Sequence, residues 1–264
     1  MISPNAIAKI SKKESIGFGI IEKDYFITLL LEGIVSVPAL KQNLVFKGGT
    51  ALRKIYFKDY RYSEDLDFTL KNAMKENELR ELFEEAFAYL KKEHNADFLV
   101  KSFYSRKWFS DIKIQFVGLK VQKNTIAIDL MADETIEGTV TEKSVLNPYY
   151  KKAFFVPVYS LDEILAEKLR SFLQRTRVRD YFDAWFILTK AKSKIDKNKL
   201  KKIFLKKAEY KKLSFSGKKE LFDSAKIEQA RAYYQSQLGN QLNKLPPFDK
   251  LVEELRTAVN DLDL

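Results

Sequence analysis

Cysteine is absent from this chain of 264 residues and histidine occurs once. The two shortages remove whole classes of chemistry. Without thiols there is no disulfide, no cysteine-bound zinc and no thiolate nucleophile. The lone histidine, His94 in Lys91-Lys92-Glu93-His94-Asn95, reads as a surface or capping residue at a helix end. Ser-His-Asp catalysis and zinc sites built on several histidines are disfavoured for the same reason. Long apolar runs are also missing, none approaching the roughly 20 residues of a membrane span. The start, Met1-Ile2-Ser3-Pro4-Asn5, lacks the basic-then-apolar pattern of a signal peptide, so a cytoplasmic location is expected. No internal repeat or low-complexity linker interrupts the chain.

What is present describes a folded protein with a localised charge. Hydrophobic residues make up 45% of the chain, with 20 Phe and 13 Tyr, enough to build one large core or two small ones. Net charge is +11, and its position matters more than its size. From Lys190 to Lys219 there are 13 lysines against Asp196 and Glu209, a local excess equal to that of the whole chain. Such a segment suits a polyanion, nucleic acid above all. The competing reading is a solvated lysine-rich helical face.

Hydrophobic spacing orders the elements. A helix is expected over Ile21–Leu31, closed by Pro38. Leu44-Val45-Phe46 reads as a short buried strand running into a glycine turn, with a helix restarting over Ala51–Phe57. Leu66–Leu70 reads as a second strand. Asn77–Glu93 is an amphipathic helix with Leu79, Leu82, Phe83, Ala86, Phe87 and Leu90 on one face. Asp97–Phe103, Asp111–Val117 and Thr125–Met131 alternate as strands. Ser160-Leu161-Asp162-Glu163 has capping-box spacing and should start a helix toward Gln174. Further helices are expected over Asp180–Thr189, in the lysine-rich region and in the tail from Pro247. The texture changes near Asn147-Pro148 and Val156-Pro157, α/β before and helical after, which places domains at residues 1–155 and 156–264.

Chemistry concentrates in two adjacent motifs. In Lys47-Gly48-Gly49-Thr50 the missing side chains let backbone N–H groups approach a phosphate, and Thr50 adds a hydroxyl. In Arg61-Tyr62-Ser63-Glu64-Asp65-Leu66-Asp67-Phe68, strand geometry points Asp65 and Asp67 to one side and Leu66 and Phe68 to the other. Paired carboxylates repel unless cations join them, and Mg²⁺ prefers carboxylates with waters and phosphates. Two metals so held would act on an α-phosphate. Each motif alone has a plain reading, a tight turn and a solvated strand end; their succession favours metal-dependent nucleotidyl transfer. Asp129, in Ile126-Ala127-Ile128-Asp129-Leu130-Met131, is the candidate third carboxylate, as metal ligand or general base. Asp133 and Glu134 lie past the strand.

With these motifs the chain resembles the nucleotidyltransferase AbiEii/AbiGii toxin family of the DNA polymerase β-like superfamily. The matching pieces are Glu22-Lys23-Asp24-Tyr25, Phe46-Lys47-Gly48-Gly49-Thr50-Ala51-Leu52, the Arg61–Phe68 stretch, Glu167-Lys168-Leu169 and Arg179-Asp180-Tyr181-Phe182-Asp183. The resemblance implies an α+β fold: a polymerase β-like nucleotidyltransferase core, a small mixed sheet with flanking helices, followed by a helical C-terminal region. It implies an NTP substrate, Mg²⁺ at Asp65, Asp67 and Asp129, and nucleotide contacts from Lys47, Gly48, Gly49, Thr50, Arg61 and Ser63. It also implies functional positions at Lys168 and Asp180, with Asp183 beside them. A cation at Lys168 would meet phosphates, and Asp180 or Asp183 would orient it or touch base or ribose. Their structural alternatives are a surface lysine and a helix-end acidic pair. Some relatives are toxins of toxin–antitoxin or phage-defence systems, and some add nucleotides to the 3′ end of tRNA. The expected activity is therefore NMP transfer to an acceptor such as tRNA, with a cognate antitoxin whose direct contact is not required. The alternatives are transfer to a protein or small-molecule hydroxyl, or an inactive RNA-binding or regulatory module.

Overall fold

The computed structural model describes all residues, Met1–Leu264, and they form two compact units. The first comprises Met1–Glu134 with Val140–Val158, the second Thr135–Thr139 with Tyr159–Leu264. No helix is long and apolar enough to cross a membrane.

The first unit runs α1 (Pro4–Glu14), α2 (Phe18–Ser36), α3 (Pro38–Asn43), β1 (Leu44–Lys47), α4 (Gly48–Ala51), β2 (Asp65–Leu70), α5 (Glu76–His94), β3 (Phe98–Arg106), β4 (Phe109–Val117), β5 (Lys123–Met131), β6 (Thr141–Ser144) and β7 (Phe155–Val158). A π-helical turn, Leu52–Tyr56, continues α4. The strands make one mixed sheet in the order β3-β4-β5-β2-β1-β7-β6. Pairing is antiparallel at β1–β2, β3–β4, β4–β5 and β6–β7, and parallel at β2–β5 and β1–β7. The α+β expectation is met, with seven strands where hydrophobic alternation had marked five. The two missed strands are short: β6 (Thr-Glu-Lys-Ser) is exposed throughout, and β7 contains Pro157, so neither shows an alternating pattern.

One face of the sheet carries the core. Leu66, Phe68, Ile112, Ile114, Phe116, Ile126, Ile128 and Leu130 are all buried. Against them lie α2, apolar nearly all round, and the amphipathic α5. Phe26 of α2 stacks on Phe116 at 4.2 Å between centroids, and Phe87 of α5 on Phe98 at 5.9 Å. Alternation sends the intervening residues, Asp65, Asp67, Asp111, Ala127 and Asp129, to the other face, where each is partly exposed.

Two of the three buried carboxylates on α2, Asp24 and Glu32, organise this unit. Asp24 accepts from Lys54 Nζ at 2.6 Å, Tyr149 OH at 2.5 Å and Arg53 Nε at 3.3 Å. Lys54 also donates to Thr28 Oγ1 at 2.8 Å. Burial acts to raise the Asp24 pKa, but the adjoining Lys54 and Arg53 cations hold it below its ordinary value. Burial pushes Lys54 down to about 8, so it stays protonated at neutral pH. Glu32 accepts from Tyr89 and Tyr150 and pairs with Lys152 and His94. His94 is thus neither a free surface residue nor the cap: its Nε2 lies 3.0 Å from Glu32, and Asn95 closes α5 in the left-handed conformation.

The second unit is helical: α6 (Leu161–Gln174), α7 (Val178–Lys190), α8 (Lys197–Tyr210), α9 (Ser224–Leu238) and α10 (Phe248–Asn260). Ser160 caps α6 by accepting from the Glu163 amide, as its spacing suggested. Lys207 of α8 is fully buried, 3.0 Å from both Glu163 and Glu167, and donates to the Thr135 carbonyl at 2.6 Å. Glu163 in turn accepts from the Glu137 and Gly138 amides, tying the 135–139 segment to α6. The lysine-rich stretch is therefore less available than its local charge suggested. Lys192 pairs with Asp261, Lys206 with Glu137, and Lys199 and Lys201 approach Asp162 and Asp263. The acids that balance it come from distant parts of the chain.

Removing one member of a buried ion cluster leaves an uncompensated charge, which costs about 3–5 kcal/mol. Asp24→Ala should lower unfolding stability by about that amount at pH 7, read by urea denaturation. A carboxyl whose folded pKa is depressed stabilises above its unfolded value and loses that contribution as pH falls through the folded one. The gap between Asp24→Ala and the parent should therefore narrow below pH 3.8, the ordinary value of the group.

Candidate active site

The sheet register assembles the site in the first unit. Lys47 is opposite Asp67 across β1–β2, Asp67 opposite Asp129 across β2–β5, and Asp129 opposite Asp111 across β4–β5. Directly paired residues point to the same side of a sheet, and strands lie about 4.8 Å apart. One row of four neighbouring strands thus carries a cation and three carboxylates. Asp65 is one pleat away on the same face, opposite Ala127. Asp111 was not singled out from sequence; the alternation Asp111-Ile112-Lys113-Ile114 was visible, but only the pairing of β4 with β5 sets it beside Asp129.

The glycine turn is fitted to this row. Gly48 has φ +78°, a left-handed conformation that suits glycine, and a Cβ there would collide with Asp67 Oδ2. A Cβ on Gly49 would collide with the Arg61 guanidinium and come within 3.4 Å of Ser63 Oγ. Both glycines therefore permit close approach of the turn to the Arg61–Asp67 stretch. Thr50 Oγ1 donates to the Asp65 carbonyl at 2.5 Å, and Ser63 Oγ donates to Asp65 Oδ1 at 3.0 Å. Arg61 is buried and donates to the Tyr62 carbonyl at 3.2 Å. The hydroxyls of Thr50 and Ser63 thus fix the turn and Asp65 to each other. Lys47, Gly48, Gly49, Thr50, Arg61, Ser63, Asp65, Asp67 and Asp129 all belong to this one constellation.

No three acidic or histidine side chains converge closely enough to make a ready metal cage. The donor set nevertheless suits Mg²⁺, which is bound by one or two carboxylates with waters and substrate phosphates completing its shell. Asp65 and Asp67 supply hard oxygens beside a turn that lacks side chains.

The remaining expected residues are in the second unit. Lys168 of α6 is 2.7 Å from Asp180 and 2.8 Å from Asp183, both on α7. Asp180 Oδ2 also accepts from Ser171 Oγ at 2.9 Å, with the Arg175 guanidinium at 3.3 Å. Burial acts to raise the Asp180 pKa, and the Lys168 and Arg175 cations hold it below its ordinary value. Both aspartates are buried, and their carboxylates are turned to the lysine. Ser171 was missed from sequence because a serine within an amphipathic helix carries no distinguishing signal.

Comparison with known proteins gives the family and the fold. The family model for the nucleotidyl transferase AbiEii toxin, of type IV toxin–antitoxin systems, matches residues 29–254. The fold is shared with MenT4, a nucleotidyltransferase toxin from Mycobacterium tuberculosis, at TM-score 0.70 and 17% identity, covering 100% of this chain and 91% of that one. No curated protein matches by sequence. The family match shows a nucleotidyltransferase. The chain belongs to the AbiEii nucleotidyl transferase toxin family.

Gly48→Ala combines a left-handed non-glycine residue, costing about 1–2 kcal/mol, with a collision against Asp67. Thermal unfolding should show that loss. Nucleotide binding should weaken in parallel, whereas Gly17→Ala, with open space at the Cβ position, should leave nucleotide binding unchanged.

Proposed function

We propose that the protein transfers an NMP from an NTP to the 3′ end of tRNA, with Mg²⁺ held by Asp65 and Asp67 and pyrophosphate released. The observation that carries this reading is the in-register pair Asp67 and Asp129, with the side-chain-free turn at Gly48 against Asp67. The Gly48-Gly49 amides border the place for the triphosphate, with the buried Thr50 fixing the turn to Asp65 and Lys47 adding positive charge at the edge of the row. Bound Mg²⁺ would offset the charge of the phosphates and favour in-line displacement. Asp129 accepts the proton of the acceptor hydroxyl as that oxygen bonds to the α-phosphorus. The bond from the α-phosphorus to the bridging oxygen breaks, and pyrophosphate leaves.

By the family resemblance Lys168 is a functional cation of the second unit; Asp180 and Asp183 are positioning residues that hold its ammonium, and Ser171 holds Asp180. The RNA acceptor is supported by the family resemblance and by exposed lysines of the second unit such as Lys202, Lys212 and Lys219. A cognate antitoxin belongs to the reading through the toxin–antitoxin family, and a role in phage defence through its relatives.

The test is incubation of the protein with total tRNA, Mg²⁺ and each α-labelled NTP in turn. Label should enter tRNA with one NTP, cease on chelation with EDTA, and fall by at least about 100-fold in Asp67→Ala, the scale of losing one group that stabilises transition-state charge. Label on protein or a small molecule with tRNA unlabelled would replace the acceptor; undiminished transfer by Asp67→Ala would refute the assignment.

A further inference from the structure

The carboxylate row does not stop at Asp111. Across β3–β4, Asp111 is paired with Tyr104, so Tyr104 occupies the sheet edge on the same face as Asp67 and Asp129. Two strand spacings, about 10 Å, separate Tyr104 from Asp129. Arg106, two residues on, faces the same way, paired with Phe109, which is itself opposite Met131. Its Nε donates to Tyr104 OH at 2.5 Å, and its guanidinium is 5.3 Å from the Tyr104 ring centroid. At the turn that follows, Lys107 is 4.9 Å from the Trp108 ring centroid. Tyr104 is 51% and Trp108 49% exposed. Lys113, exposed on β4, is on the same face, paired with Ser102.

This edge therefore presents two half-exposed aromatics, each with its own cation: Tyr104 in line with the carboxylates and Trp108 at the adjoining turn. Cations alone on an edge strand would be explained as protection against pairing with another sheet. Exposed aromatic rings beside them oppose that purpose and add apolar surface that the fold leaves uncovered. Aromatic faces for stacking, with Lys and Arg for phosphates, are what single-stranded nucleic acid requires. Sequence-tolerant stacking also suits an RNA end whose bases are unpaired.

We infer that the β3–β4 hairpin is the platform for the single-stranded 3′ end of the acceptor RNA. Tyr104 and Trp108 stack its last unpaired bases, Arg106, Lys107 and Lys113 meet its phosphates, and the sheet row leads its terminal hydroxyl toward Asp129. The inference rests on the RNA acceptor proposed above and adds which surface receives it and in which structural form.

The test is binding without NTP, so that it does not depend on transfer. A fluorescent RNA hairpin with a short single-stranded 3′ overhang is titrated by anisotropy beside the same stem with a blunt end. The protein should prefer the overhang. Tyr104→Ala/Trp108→Ala should weaken overhang binding at least about tenfold, leaving blunt-stem binding unchanged, and Tyr104→Phe/Trp108→Phe should restore most of it. Equal binding of both RNAs, or overhang binding unaltered in the folded alanine variant, would overturn the inference. Hairpin-dependent binding without label entering any tRNA would refute the transfer reading and leave the platform standing.

Discussion

Asp67 and Asp129 occupy directly opposed positions on adjacent parallel strands, and much of what is distinctive in the first unit follows from that placement. Like charges set opposite one another in a sheet destabilise it. The neighbouring elements are arranged around this cost. Lys47 flanks the pair on one side, the glycine turn closes against Asp67, and the hydroxyls of Thr50 and Ser63 fix the backbone and carboxylate of Asp65. A cationic ligand would relieve the remaining repulsion, so the same feature that costs stability in the protein alone would favour binding of a divalent cation.

Elsewhere the charged residues of the family motifs serve the scaffold. Asp24 bonds the middle of α2 to the π-helical turn that continues from the glycines and to Tyr149, so the turn carrying Gly48 is anchored from beneath by an ion cluster. In the second unit Asp180 and Asp183 hold Lys168, and Glu163 with Glu167 holds Lys207. These motif carboxylates are thus engaged by cations of the protein itself. Burial separates the two roles: Asp24, Asp180 and Asp183 are enclosed, while Asp65, Asp67 and Asp129 remain partly open on the sheet face.

Much of this was legible before any coordinates. Alternation placed Asp65, Asp67 and Asp129 opposite Leu66, Phe68 and Ile128, and the Ser160 capping box located the start of α6 to the residue. Other features depend on pairings that local pattern does not encode. Asp111 joins the row only because β4 pairs with β5 in that register, and Tyr104 only because β3 pairs with β4. β6 and β7 are too short and irregular to show periodicity. The charge excess over residues 190–219 was real as arithmetic, yet Asp162, Glu163, Glu167 and Asp261 arrive from distant positions to neutralise part of it. Local counting cannot see long-range ion pairs. His94 is the same lesson in miniature, since its partner Glu32 lies on another helix.

In the proposed function the opposed carboxylates and the glycine turn together hold a divalent cation and a nucleoside triphosphate. The most direct measurement is electron paramagnetic resonance of Mn²⁺ titrated with the protein and a non-hydrolysable NTP analogue, in the parent chain, Asp67→Asn and Asp129→Asn. Mn²⁺ uptake should be strengthened by the analogue and lost in Asp67→Asn, with a smaller effect in Asp129→Asn. Equal, analogue-dependent uptake by the parent and Asp67→Asn would place the nucleotide elsewhere and contradict that function.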